Sequence, residues 1–144
     1  KYPSLAGEKE IIKRHHEGFS SDALDKANLE AVCTKEDIIR CREEVLKVRV
    51  DESLMEYIVN IIAETRNNPV IDVGSSPRGG IALLNCSKAC AAYFGRDFVI
   101  PEDIKNMVVP TLRHRIILKA EVELEGITSD QVLMNILSKI KVPR

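Results

Sequence analysis

Residues 70–80 read VIDVGSSPRGG, and residues 81–94 continue as IALLNCSKACAAYF. β-Branched residues give way to a glycine, two serines, a proline, an arginine and two more glycines before a long apolar run begins. Ser76 has the chemistry of a helix N-cap, and Pro77 suits a first helical position, where a missing N–H is not needed. A helix is therefore expected from Pro77 to Phe94, with Gly95 as its left-handed terminator. Only Asn85, Ser87 and Lys88 interrupt positions 81–94, so this helix is expected to be nearly apolar all round, central and the most buried.

Arg78 then falls in the first turn, against the positive end of the helix dipole, at a cost of about 0.3–1 kcal/mol if nothing answers it. Gly79 and Gly80 each cost about 1 kcal/mol relative to alanine in a helix interior, less in a first turn. These penalties are coherent if an anion docks there, since free N–H groups, dipole and guanidinium would favour the same ligand and glycine would let it come close. The other reading is that Arg78 meets a neighbouring carboxylate or points into water. GSSPRGG lacks the lysine and Ser/Thr of a P-loop. It can supply one arm of a phosphate clamp and not the whole.

The surrounding segments also read as helices. Pro3–His16 is a charged helix with Leu5, Ile11 and Ile12 as sparse apolar contacts, whereas Gly18–Val32 is weakly periodic and expected to be irregular. Thr34 and Asp37 form a variant capping box for a helix whose inner face is Ile38, Cys41, Val45 and Val48. Val48–Val50 is a short extended link, and Asp51 caps a helix with Leu54, Ile58, Ile61, Ile62 and Thr65 at helical spacing, stopped by Asn67-Asn68-Pro69. Downstream, Pro101 starts a helix that Pro110 is expected to kink or divide. Ile116–Glu125 alternates and is expected to be a short strand or an extended arm. Thr128 and Gln131 form a second capping box ahead of Val132, Leu133, Ile136, Leu137 and Ile140. The expected fold class is mainly α: a helical bundle with at most a short strand or arm near 116–125.

Composition fits that architecture. The 144 residues are 44% hydrophobic and 30% charged, with 4% aromatic and no Trp, so the core must come from Leu, Ile, Val and Ala, which favours helix-on-helix packing. A net charge of −1 offers no general attraction to nucleic acid or an anionic membrane. No segment is apolar over a spanning length, and KYPSLAGEKE lacks the apolar stretch of a signal peptide. The chain does not begin with Met and is expected to be cut from something longer. The four cysteines, Cys33, Cys41, Cys86 and Cys90, form no CxxC pair and read as small, buried, reduced residues of a cytosolic protein. Cys86 and Cys90 stand one helical turn apart, but with no histidine or third cysteine nearby a metal site is disfavoured.

The ordered set YPSLAGEKEII, VRVDESLMEYIVNIIAETR, VGSSPRGGIALLNCSKACAAYFGRDFVIPEDIK, LRHRIIL and EGITSDQVLMNIL resembles the C-terminal part of a MoxR-family AAA+ ATPase. It is similar, more distantly, to the lid of magnesium chelatase ATPase subunits. The resemblance covers almost the whole chain and implies residues 1–17 as the helix joining the AAA+ core and residues 18–144 as the helical lid. It implies that Arg78 is the sensor 2 arginine reaching the γ-phosphate of ATP, with Gly74, Ser76 and Pro77 shaping its loop. Walker A, Walker B, sensor 1 and arginine-finger motifs are absent. Mg2+ ligands and the water-activating carboxylate are thus expected upstream, and this chain alone is expected not to hydrolyse ATP.

Further implications are a cytoplasmic ring oligomer, a hexamer in the parent, and contacts with its own core and neighbouring subunits. Chaperone-like remodelling or cofactor insertion of clients, with a von Willebrand factor A domain partner, also follows from the resemblance, with no nucleic acid and no membrane span. The family often has Ala where this chain has Ser75 and Gly79. The alternatives are a protein-interaction module without a nucleotide role and, less favoured on charge, a nucleic-acid-binding helical domain.

Among the remaining basic residues, Arg66 and Arg96 are expected to pair with carboxylates or bond loop carbonyls. Arg113, His114 and Arg115, with Lys119, form a basic spot best read as a solvated turn. His15 and His16 read as exposed.

Overall fold

Side chains at the helix starts satisfy the backbone groups that a helix leaves open. The computed structural model describes residues 2–20 and 29–143. Helix α1 (Leu5–His16) starts where Ser4 accepts from the Gly7 N–H. Before α2 (Lys35–Lys47), the Thr34 N–H donates to Asp37 at 2.9 Å and the Asp37 N–H donates back to Thr34 at 3.1 Å. Asp51 accepts from Ser53 ahead of α3 (Glu52–Asn67).

Strand β1 (Ile71–Val73), α4 (Pro77–Tyr93), α5 (Pro101–Leu112), β2 (Ile117–Leu118), α6 (Ala120–Leu124) and α7 (Ser129–Lys139) follow. Thr128 and Gln131 close the reciprocal box at the start of α7. Gly95, at φ 72, provides the left-handed step after α4. The part of the expected irregular segment at 21–28 lies outside the described residues. No described helix is long and apolar enough to cross a membrane.

The chain divides into two compact units, Lys1–Ile38 and Ile39–Arg144, so the boundary falls inside α2. In the first unit no described residue is buried. The second holds the core: Leu54, Tyr57, Ile58, Ile61 and Ile62 of α3, Leu83 and Ala91 of α4, Ile104, Val108 and Leu112 of α5, and Leu133 and Ile136 of α7. Burying such side chains stabilises the fold by about 1.5–3 kcal/mol each. The link before α3 is extended as expected: Arg49 N–H donates to the Asp97 carbonyl at 2.9 Å and its own carbonyl accepts from Val99 at 3.0 Å.

Four expectations are corrected, two of them in part. Helix α4 is not buried all round: its fully buried positions are Gly79, Leu83, Ser87 and Ala91, a single row spaced by four. Neighbours α3 and α5 cover only part of its circumference, so Ile81 stays 59% and Tyr93 84% exposed. Of the inner face expected for α2, Val48 just past its end is buried and Val45 half-buried, while Ile38 and Cys41 are exposed. Pro110 does not divide α5, because it stands in the last turn, where one lost bond matters little. The alternating run does hold a short strand, as expected, but only over Ile117–Leu118, and a helix follows within the same run. Its first part, β2, pairs antiparallel with β1 (Ile71 with Leu118, Val73 with Ile117). Good helix formers then build α6, with Val122 buried and Leu124 left out.

Candidate functional site

Between β1 and α4 the chain turns through Gly74, Ser75 and Ser76, and this turn rests on the last turn of α3. A Cβ on Gly74 would stand 2.7 Å from both the Arg66 Cα and the Thr65 carbonyl oxygen, so only glycine fits against that backbone. The next residue is held on both sides. Ser75 N–H donates to Thr65 Oγ1 at 3.0 Å, and Arg66 Nε donates to the Ser75 carbonyl at 2.8 Å. Thr65 Oγ1 in turn donates to the Ile62 carbonyl at 2.7 Å. Thr65 and Ser75 are both fully buried, which makes an unpaired N–H at Ser75 costly and the hydroxyl valuable.

Helix α4 opens differently from α1, α3 and α7. Ser76 occupies the N-cap position in extended conformation, but its side chain accepts no bond from the first turn, contrary to the capping role its sequence position suggests. Pro77 follows at the first helical position, and the first turn contains no acidic residue. Gly79 N–H instead bonds the Ser76 carbonyl at 2.8 Å. Arg78 is exposed and makes no hydrogen bond or ion pair with any described residue. The neighbouring-carboxylate reading of Arg78 therefore finds no support among the described residues, and Arg78 is exposed at a helix end without a side-chain cap.

The two glycines after it serve different purposes. Gly79 is buried, and a Cβ there would collide with the Ser75 hydroxyl and stand 3.3 Å from Leu112 Cδ2. Its bareness is required by internal packing, a demand that the sequence alone does not reveal. A Cβ on Gly80 would find only ordinary contacts, 3.5 Å from Ile62 and 3.8 Å from Ile58. Gly80 lies instead on an open apolar groove of about 380 Å³ between α3 and α4, walled by Met55, Val59, Ile62, Ile81 and Leu84 and ending at Arg66 and Pro77. The groove thus ends beside the turn that carries Arg78.

The other basic candidates are engaged in holding the fold. Arg96 forms two hydrogen bonds of 2.6 Å with the carboxylate of Asp103, which also accepts from Ile100 N–H at 2.9 Å. Burial pushes the Asp103 carboxyl up, but Arg96, Ile100 N–H and the Cys90 thiol outweigh it and hold the group below the usual carboxylate range. Burial, with Asp103 beside it, raises the Cys90 thiol. Arg113 pairs with Asp130 at 3.2 Å, and Arg115 bonds the Thr111 carbonyl at 3.0 Å. His15 and His16 are exposed.

Cys33 and Cys41 are exposed and Cys86 and Cys90 half-buried, so the expectation of four buried cysteines is corrected. Among the described residues no group of three His, Cys, Asp or Glu could hold a metal ion. Thr65 and Ser75 are the residues whose site role sequence reasoning missed. A threonine in the apolar stripe just before Asn67-Asn68-Pro69 was the available signal.

Comparison with known proteins places this geometry. Residues 63–136 match the AAA lid domain family. The chain is 39% identical over 142 residues to the uncharacterized protein YeaC of Bacillus subtilis, covering 99% of this chain and 43% of that protein. It is 26% identical over 152 residues to chaperone MoxR1 of Mycobacterium tuberculosis, covering 99% of this chain and 38% of that one. A crystal structure of a candidate ATPase from Cytophaga hutchinsonii superposes with a TM-score of 0.76 at 32% identity, over all of this chain and 45% of its own. The chain therefore spans less than half the length of each of these relatives.

Proposed function

The chain belongs to the AAA lid domain family, and from that premise we propose that it is the nucleotide-sensing lid of a MoxR-type AAA+ ATPase. The observation that carries this reading is Arg78: a cation without a protein partner among the described residues, in the first turn of an uncapped helix. Such a placement is unfavourable until an anion arrives, and then guanidinium, dipole and free amides all act on the same charge. Arg78 would donate to the terminal phosphate of ATP, while Gly74, Ser76 and Pro77 shape the turn that presents it. Mg2+ and the hydrolytic water would be held by the core half.

Closure of the lid over nucleotide would pass to the protein's own core and to neighbouring subunits of a ring, a hexamer by family analogy. Remodelling of client proteins or insertion of their cofactors, alongside a von Willebrand factor A domain partner and in the cytoplasm, completes the reading. A second reading, an interaction module with no nucleotide role, draws on the apolar groove between α3 and α4.

Phosphate release by the full-length parent separates the two. Arg78→Ala should lower ATP hydrolysis roughly tenfold or more, equivalent to about 1.4 kcal/mol of transition-state stabilisation. Equal rates in wild type and variant would remove Arg78 from the mechanism. No hydrolysis by the parent at all would put the interaction module first.

A further inference from the structure

We infer that Thr65 is a positioning residue for Arg78, aiming the arginine from α3 without touching the nucleotide. This rests on the sensor reading above and adds to it the device that sets the arginine's direction.

Arg78 stands three residues beyond Ser75, and its side chain starts from the first turn of α4. The direction of that turn is fixed by what holds Ser75. Thr65 Oγ1 accepts from the amide before the Ser75 Cα, and Arg66 Nε bonds the carbonyl after it. Both of the serine's backbone torsions are thereby constrained from α3. Gly74 packs on the same two residues, Thr65 and Arg66, closely enough to exclude any Cβ. On the far side, Gly79 fits against Ser75 and Leu112 of α5. The N-terminus of α4 is therefore seated between two helices rather than stabilised by its own cap, which Ser76 does not supply.

Of these contacts only Thr65 ties the turn to the interior of α3, because its hydroxyl also donates to the Ile62 carbonyl at 2.7 Å. Arg66 is exposed and reaches the turn from the surface. A hydroxyl is needed at position 65 because one oxygen must accept from Ser75 and donate to Ile62 at once. Valine has the shape and neither capacity.

The test uses the full-length parent and measures affinity for a non-hydrolysable ATP analogue and for ADP. Their ratio reports contact with the terminal phosphate, whereas a general loss of structure weakens both ligands alike. Arg78→Ala is expected to reduce the ratio roughly tenfold, Thr65→Val about three- to tenfold, and Thr65→Ser less than about twofold. The double variant Thr65→Val/Arg78→Ala should fall no further than Arg78→Ala alone, since Thr65 acts through the arginine.

A Thr65→Val ratio equal to wild type, or losses that multiply in the double variant, overturns the positioning role and leaves the sensor reading standing. A wild-type ratio in Arg78→Ala overturns both. If Thr65→Val is too unstable to assay, Thr65→Ala and Thr65→Ser are compared below the melting temperature of the weaker one. Equal ratios there also overturn the role.

Discussion

Replacing Gly79 with alanine should destabilise the chain, and the cause lies in one neighbour. The glycine has an ordinary helical backbone, since positive φ occurs only at Gly18, Gly95 and Gly126 among the described glycines. Alanine there would gain up to about 1 kcal/mol of helix propensity. Against this, its Cβ would collide with Ser75 Oγ and crowd Leu112 Cδ2 at 3.3 Å, and Ser75 is fully buried. Overpacking of this kind costs about 1–3 kcal/mol, so Gly79→Ala should lose about 0.5–2 kcal/mol net.

The clash is with the hydroxyl, because the Ser75 Cβ itself would stand 3.4 Å away. That hydroxyl donates only a long 3.4 Å bond to the Ser76 carbonyl, so Ser75→Ala alone should cost about 0.5–1 kcal/mol. The double variant should return to within about 0.5 kcal/mol of wild type, a coupling of about 1–2 kcal/mol between two substitutions that would otherwise add. Urea denaturation of the four proteins at constant m-value measures the cycle. A Gly79→Ala protein as stable as wild type, or losses that sum in the double variant, would refute the steric argument.

Three further outcomes follow from the α4–α5 connection and the thiols. Asp103→Asn should cost about 2–4 kcal/mol by leaving Arg96 without its buried partner, the full figure being reduced because Arg96 keeps some solvent contact. The Asp103 carboxyl is depressed on folding, so its stabilisation is present above the unfolded value and is lost as pH falls through the lower folded value. The variant should therefore show a shallower loss of stability from about pH 4 downward than wild type; parallel acid limbs in chemical denaturation would count against this. Iodoacetamide should label the exposed Cys33 and Cys41 before the half-buried Cys86 and Cys90, and mass spectrometry showing Cys90 modified first would contradict the burial and raised thiol assigned to it.

Much of the helical frame was legible because its signals are local. Asp51, Thr34 with Asp37, and Thr128 with Gln131 each announce a helix within four residues, and Gly95 ends one. What the sequence concealed depends on partners far along the chain or missing from it. Strand β1 needs β2 more than forty residues later, and α6 shares its alternation of apolar residues with a strand until helix propensity decides. The apolar surplus of α4 reads as deep burial, yet hydropathy cannot say whether a neighbour covers each face, and Ile81 and Tyr93 are left out.

The candidate site divides in the same way. Arg78 was legible as an anomaly against its own dipole, and the structure leaves it unpaired among the described residues. Its support was not legible: Thr65 looks like one more member of a helical stripe until Ser75, ten residues on, is folded back onto it. Gly79 was read for the ligand it would admit, and its requirement is a serine four residues earlier.

That serine and glycine also constrain the order in which the chain can change. Ser75 and Gly79 meet in one buried turn, so a substitution at either is felt at the other. A lineage moving between serine with glycine and alanine with alanine has two single-step routes. One passes through serine facing alanine, with the collision in a buried turn; the other passes through alanine facing glycine, with no more than a small gap. Both end in similarly packed turns beneath Arg78, but selection on stability leaves the second open and narrows the first.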